Sequence, residues 1–164
     1  MTWIRPEGHN DVDSVWNEEA KAYDGDLETY SSTSINILQW SSFLYFYLPP
    51  TKADKVRFYV NYSHVLSLVD VDVKIGGTWV DVYEGTFTRK TWIEKLFGSG
   101  VVNHVRIRFY RSGSVPISLI QLSEVMLHAV DDKVNGKPPD YAVSIPLILF
   151  VGLVLLFLFL GGLP

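Results

Sequence analysis

The sequence predicts an all-β fold, an antiparallel β-sandwich, followed by one C-terminal transmembrane α-helix. From residue 35 onward, short runs rich in β-branched and aromatic residues alternate with turn signals. Aromatic residues make up 14% of the chain, which suits a sandwich core filled by large side chains. The final twenty residues, IPLILFVGLVLLFLFLGGLP, contain no charged or strongly polar side chain. These three observations divide the chain into a β-rich head and an apolar tail.

The elements of the head follow from local patterns. Residues 1–20 are expected to be irregular, apart from a short helical turn within 12–20. Alternation is clearest at Val69, Val71 and Val73, which share one strand face. Gly76-Gly77 then predicts a tight hairpin. The predicted strands are 43–48, which ends at two prolines, 56–60, 65–75, 78–83, 105–110, and one or two within 117–129. Residues 92–97 fit either a strand or a short helix.

The apolar tail predicts a membrane anchor. Residues 145–163 are long enough, as a helix, to cross a bilayer core of roughly 30 Å. A polar, proline-containing linker at 131–141 precedes the helix, which is expected to span 142–164. We therefore expect a single-pass membrane protein whose tail contacts the lipid bilayer. The alternative is a tail buried among the helices of a large protein assembly.

Composition and motifs exclude several function classes. The net charge is −4 and no basic cluster is present, which argues against nucleic-acid binding. The chain has no cysteine, so disulfides and thiol chemistry are absent. No nucleophile motif occurs, and the four histidines lack metal-ligand spacing. Asp70 and Asp72 are interpreted as solvated surface rather than a catalytic pair. We therefore expect a protein that is not an enzyme.

The sharpest motif is the segment KAYDGDLETY at 21–30. It places Asp24 and Asp26 on either side of Gly25, with the hydroxyl of Thr29 nearby. Calcium prefers six to eight oxygen ligands from a loop able to wrap the ion. The spacing does not match the twelve-residue loop of an EF-hand. The residues leave two interpretations open, a calcium-binding loop and an Asp-Gly turn without metal.

This motif and the segments after it resemble the discoidin (F5/8 type C) and related galactose-binding-like domains. The similar segments are KAYDGDLETY, FYLPPTKADKVRFYV, VDVDVKIGGTWVDVYEG, VRIRFY and ISLIQLSEVMLHA. They extend from Glu18 to Ala129, which sets the sandwich domain at 21–130. The resemblance implies a jelly-roll topology. It also implies non-catalytic binding of glycans, lipid head groups or proteins.

The resemblance further implies one structural calcium ion between the first loop and the last strand. Carried over by position, the ligands are the carbonyl of Lys21, Asp24, Asp26, Thr29, the carbonyl of Ser123 and the carboxylate of Glu124. Glu124 interrupts an apolar strand, and a buried carboxylate needs a cation or hydrogen-bond donors. The alternative is that Glu124 faces water and no metal binds.

A sugar site needs an aromatic platform beside polar groups, on loops at one end of the sandwich. The candidate ligand-binding residues are Trp40, Tyr62, His64 and Arg111, all near predicted loops. Each has a structural alternative. Trp40 is also suited to the core or its rim, Tyr62 and His64 to a turn, and Arg111 to the exposed surface.

Two function classes follow from these features. The first is a membrane-anchored structural or assembly protein whose head contacts neighbouring protein subunits. A virion component that links membrane and capsid is one such protein, since no signal peptide is evident at the N-terminus. The alternative is a carbohydrate-binding or adhesion module displayed on a surface. The two are distinguished by whether the head presents a ligand pocket or surfaces covered by protein neighbours.

Overall fold

The computed structural model describes residues 2–63, 67–112 and 117–130, and these form an antiparallel β-sandwich. Nine strands and one short helix make up this region. They are β1 (Thr2–Ile4), β2 (Gly8–Asn10), β3 (Trp16–Asn17), a 3₁₀-helix (Glu19–Ala22), β4 (Ser31–Asn36), β5 (Leu44–Ser63), β6 (Ser67–Ile75), β7 (Thr78–Thr86), β8 (Trp92–Arg111) and β9 (Ile117–Ala129). The expected all-β antiparallel fold is confirmed for the part of the chain that the structure describes.

The strands hydrogen-bond in the order β3-β4-β9-β5-β8-β6-β7, with β1 paired to β9 and β2 paired to β5. The long strands β5 and β8 lie next to each other in this order, and they connect β9 on one side with β6 on the other. The start of β5 pairs with the second half of β8, and its residues from Lys55 onward pair with the start of β8 and with β9. The register shifts between Tyr47 and Thr51, across Pro49-Pro50, where prolines supply no N–H to the ladder. An irregularity of this kind lets a strand bend.

The core lies along the strand faces that the alternation predicts. Val69, Val71 and Val73 of β6 are fully buried. So are Phe46, Phe58, Val105, Ile107, Phe109, Ile120, Leu122 and Leu127 from the neighbouring strands. Because successive strand residues point to opposite faces, the polar residues between them project from the outer face of the sheet. The hairpin at Gly76-Gly77 is present, and both glycines have positive φ.

The structure corrects one local prediction and decides between the two alternatives of another. Residues 1–20, expected to be irregular, contain three short strands, and the helical turn is limited to Glu19–Ala22. Strands of two or three residues are too short to show periodicity, and their pairing with β9, β5 and β4 comes from distant sequence. Residues 92–97, left open between strand and helix, form the first part of β8. The strand continues because these residues pair with β5.

The predicted linker at 131–141 and the predicted helix at 142–164 lie outside the described residues. Within the described part of the chain, no helix combines the length and hydropathy needed to cross a membrane. The membrane anchor and its lipid contacts therefore stay predictions from the sequence.

Candidate functional site

A cleft opens where the end of β5 meets the connection between β7 and β8. It has a volume of about 410 Å³ and is lined by Asn61, Tyr62, Thr88, Arg89 and Lys90. Asn61 and Tyr62 lie near the end of β5, and the other three residues lie in the connection between β7 and β8. The cleft therefore combines an amide, a phenol, a hydroxyl and two cationic groups at one end of the sandwich.

Hydrogen bonds to β5 fix the connection that forms one wall of this cleft. The backbone N–H of Lys90 donates to the carbonyl of Val60 at 2.8 Å. The Arg89 Nη1 atom donates to the carbonyl of Ser63 at 3.1 Å. The Arg89 guanidinium lies 5.9 Å from the ring centroid of Tyr62, within the range of a cation–π contact. These bonds tie the 88–90 connection to the end of β5, so its side chains are held against Tyr62.

The four sequence-predicted ligand residues do not come together at this cleft. Tyr62 lines the cleft, and His64 lies outside the described residues. Trp40 is half-buried and packs against Tyr110, with their ring centroids 5.3 Å apart. Arg111 is 0% exposed, and its Nη1 donates to the carbonyl of Ile35 at 3.2 Å. The buried side chain of Arg111 therefore links β8 to β4 through its hydrogen bond to the Ile35 carbonyl.

Sequence reasoning missed Asn61, Thr88, Arg89 and Lys90, which supply most of the cleft. The polar run Thr88-Arg89-Lys90 between Phe87 and Trp92 is a turn signal that carries two positive charges. These two adjacent positive charges were the sequence signal that could have identified this part of the cleft. What the sequence did not contain is the pairing that brings the run beside Tyr62.

The predicted calcium loop is closed by its own hydrogen bonds. Asp24 accepts from the N–H of Asp26 at 2.9 Å and from the hydroxyl of Thr29 at 2.7 Å. Asp26 in turn accepts from the N–H of Glu28 at 2.9 Å. Lys21 lies in the 3₁₀-helix and pairs through Nζ with Glu18 at 2.6 Å. These bonds are those of a turn in which carboxylates cap backbone N–H groups.

Glu124, the proposed ligand from β9, is buried and has two partners. Its Oε1 lies 3.0 Å from Arg5 Nε, and its Oε2 accepts from the N–H of Gly25 at 3.0 Å. The neighbouring residue Ser123 is also buried. Burial raises the pKa of Glu124, while the charge and hydrogen bond of Arg5 and the N–H of Gly25 oppose that rise. The alternative in which Glu124 faces water is wrong, since only 1% of its side chain is exposed.

The donor set at Glu124 does not fit a calcium ion. Both carboxylate oxygens already accept from N–H donors, and the guanidinium of Arg5 supplies the positive charge. The guanidinium packs so closely on Gly25 that an added Cβ there would lie 3.1 Å from Arg5 Cζ. Calcium requires six to eight oxygen ligands around the ion. Calcium binding therefore stays a prediction that this arrangement does not favour.

The outer face of the sheet carries a stack of planar groups, which we call the outer-face ladder. It runs Trp79, Arg106, Phe43, Arg108, Trp40. The distances from guanidinium carbon to ring centroid along it are 4.4, 4.1, 4.3 and 4.6 Å. The ladder is built from side chains of β7, β8 and the segment before β5, and it shares no residue with the lining of the cleft.

Asp70 and Asp72 lie beneath this ladder and are not solvated, contrary to expectation. Each is 5% exposed; Arg106 Nε pairs with Asp72 at 2.6 Å and Arg108 Nε pairs with Asp70 at 2.7 Å. Burial is the main reason that the pKa of Asp72 is raised, and the hydrogen bond from Arg106 opposes the rise. Oxygens of these two carboxylates and of Asp81 come within 4.8 Å of one another. Asp70 and Asp72 of this group serve as partners in the ion pairs with Arg108 and Arg106.

Solved structures provide the comparison, since no protein-family model and no curated protein matches the sequence. The CBM32 of AlyQ, in complex with 4,5-unsaturated mannuronic acid, superposes with a TM-score of 0.58 at 15% identity, over 79% of this chain and 100% of that one. The C-terminal domain of a chitobiase from Bacteroides fragilis gives 0.58 at 9% identity, over 79% and 98%. Chitosan-binding module 1 of a chitosanase/glucanase from Paenibacillus sp. IK-5 gives 0.54 at 18% identity, over 78% and 92%.

The fold resembles that of the CBM32 carbohydrate-binding modules. These modules share the galactose-binding-like fold, so the expected fold class is confirmed for the head. At identities below one fifth the likeness concerns the fold alone.

Proposed function

We propose that the head is a non-catalytic carbohydrate-binding module and that a saccharide binds in the cleft formed by Asn61, Tyr62 and the 88–90 connection. The observation that carries the proposal is the composition of this cleft. One aromatic ring stands beside an amide, a hydroxyl and two cationic side chains. The likeness to modules described as binding chitosan and mannuronic acid supports the same class of ligand.

The dimensions and chemistry of the cleft suit a sugar. Its volume of about 410 Å³ falls within the range of roughly 300–1,000 Å³ that is usual for ligand pockets. Sugar hydroxyls require donors and acceptors at fixed positions, which Asn61 and Thr88 supply as an amide and a hydroxyl. The ring of Tyr62 offers an apolar surface for the C–H face of a pyranose. The lining residues include no carboxylate, which supports binding rather than glycosidic cleavage.

An array of defined oligosaccharides, probed with the full chain, tests this function. We expect binding to a subset of the array and its loss in Tyr62→Ala. Tyr30→Ala is the matched control, because Tyr30 is also partly exposed and does not line the cleft. Thermal unfolding of both variants separates loss of binding from loss of fold. Absence of binding to every saccharide, with wild-type unfolding intact, would overturn the proposal.

The membrane-anchored assembly role remains a prediction of the sequence. It depends on residues 131–164, which lie outside the described part of the chain. A carbohydrate-binding head and a membrane tail are compatible in one chain, so the array result neither requires nor excludes the anchor. Localisation at a membrane, virion or cellular, is tested separately by fractionation of the expressed full chain.

A further inference from the structure

We infer that the cleft selects anionic saccharides, and specifically sugars that carry a carboxylate, such as uronic acids. This inference rests on the proposed carbohydrate-binding function and adds the class of ligand. Two exposed cationic side chains, Arg89 and Lys90, line the cleft, and no acidic side chain does. The whole chain has a net charge of −4, so the cleft is positive in a protein that is negative as a whole.

Among the residues that the structure describes, three arginines of the head have a carboxylate partner, whereas the two cations of the cleft do not. Arg5, Arg106 and Arg108 each pair with a carboxylate at 3.0 Å or less. Within residues 2–63, 67–112 and 117–130, Arg89 and Lys90 form no ion pair with a carboxylate. The hydrogen bond of Arg89 to a described residue uses Nη1 and the carbonyl of Ser63. The remaining donors of its guanidinium are therefore available to a ligand.

The backbone at Lys90 provides a second, independent observation. Its φ is +54°, one of four positive values at non-glycine positions in the described chain. This left-handed conformation is disfavoured for residues with a Cβ, and glycine adopts it without strain. The bond from its N–H to Val60 holds the conformation, and its side chain lines the cleft. The disfavoured conformation of Lys90 beside the cleft is consistent with a role for its side chain there.

The geometry favours a carboxylate on a sugar ring. A guanidinium is planar and pairs with a carboxylate through two parallel N–H···O bonds, whereas an ammonium adds a point charge. Asn61, Thr88 and the Tyr62 ring are the groups that hydroxyls and a pyranose face would contact. A carboxylated sugar uses both sets, and a neutral sugar leaves the two cations without a partner.

The test compares acidic trisaccharides with their neutral counterparts by isothermal titration of the full chain. The panel contains trisaccharides of galacturonate, mannuronate and glucuronate, each with its carboxyl-reduced form. We expect at least one acid to bind about tenfold or more tightly than its reduced form, as for a hydrogen bond to a charged group. The difference should shrink as sodium chloride is raised, because exposed charges are screened.

Variants assign the effect to the cleft. Arg89→Gln and Lys90→Gln should each remove most of the acid preference while the reduced sugars bind as before. Lys55→Gln is the matched control, since Lys55 lies on β5 outside the cleft. Lys90→Gly keeps the backbone conformation without the side chain, so it should lose the acid preference and unfold at the wild-type temperature or above.

The outcomes separate the two proposals. Equal binding of acidic and reduced sugars, or an acid preference that persists in the Arg89→Gln/Lys90→Gln double variant, overturns this inference and leaves carbohydrate binding standing. Binding of neither panel nor array by folded protein overturns both. Acid preference lost in both cleft variants and retained in Lys55→Gln supports the inference.

Discussion

The ion pair between Arg5 and Glu124 predicts how the first loop is held without calcium. Replacing Arg5 by methionine keeps most of the side-chain volume and removes the charge. Glu124, 1% exposed, then keeps only the N–H of Gly25 as a partner. Removing one partner of a fully buried pair costs roughly 3–5 kcal/mol. Because the Arg5 side chain is 47% exposed, water can replace part of it, and we expect about 2 kcal/mol.

Thermal and urea unfolding of the full chain measure this effect. A loss of about 2 kcal/mol corresponds to a Tm lower by roughly 8 °C for a domain of this size. Adding Glu124→Gln to the Arg5→Met variant should recover part of the loss, because a neutral amide is less costly to bury than an unpaired carboxylate. Lys21→Met is the matched control. It removes an exposed ion pair with Glu18, and we expect no measurable change.

The same melts, repeated with millimolar calcium chloride and with a chelator, test the calcium prediction. If Arg5 supplies the cation at Glu124, the wild-type Tm is the same in both solutions. A Tm that rises by several degrees with calcium in the wild type, and no longer does so in Glu124→Gln, would show that calcium binds at Glu124, and it would refute our reasoning. An Arg5→Met variant as stable as the wild type would refute it equally, since the buried carboxylate would then need no counter-charge.

Three further perturbations address other parts of the head. Phe43→Ala removes the central ring of the outer-face ladder and should lower the free energy of unfolding in urea by about 1–2 kcal/mol, since two guanidinium contacts are lost. Ligand affinity should not change in this variant. A changed affinity would place the ladder in the binding site. Burial and the charge of Lys74 lower the pKa of His104, so its folded form favours the neutral ring. Its contribution to stability is therefore present above pH 6.5 and lost as pH falls through the lower folded pKa, and His104→Phe should flatten that part of the pH profile of Tm. A pH profile of Tm that is unchanged in His104→Phe would mean that other titratable groups cause this pH dependence. Gly25→Ala should destabilise by roughly 1–2 kcal/mol, because φ is +91° and the new Cβ meets a guanidinium at 3.1 Å. Gly76→Ala, with positive φ and open space around it, should cost less, and equal losses would contradict the close-packing argument.

The sequence was sufficient where a strand lies half in the core. In residues 69–73 of β6 and 105–109 of β8 every second residue is apolar, and those residues are buried. The hairpin at Gly76-Gly77 was equally local, because positive φ is required at both positions. The short strands β1 to β3 could not be found in this way. Their two or three residues pair with β9, β5 and β4, and only the closed sandwich brings those partners together.

The candidate site was predictable in part, for the same reason. Tyr62 was identified because an aromatic residue near a turn is a typical platform. Arg111 was a candidate because it lies near a predicted loop, yet its guanidinium is buried and donates to a carbonyl inside the sandwich. Arg5 carried no signal, since its partner Glu124 lies far away in sequence. Long-range partners of charged side chains therefore limited the prediction more than the strand pattern did.

The arginines of the head divide into those that hold the fold and one that faces the cleft. Arg5, Arg106 and Arg108 pair with carboxylates that are nearly or fully buried. Salt screens such pairs weakly, because little solvent lies between the charges. Arg89 is exposed and hydrogen-bonds a backbone carbonyl, so its charge is open to solvent and to a ligand. Raising the salt concentration should therefore weaken ligand binding at concentrations that leave Tm unchanged. The two effects differ because the fold depends on ion pairs with buried carboxylates, whereas ligand binding depends on an exposed charge.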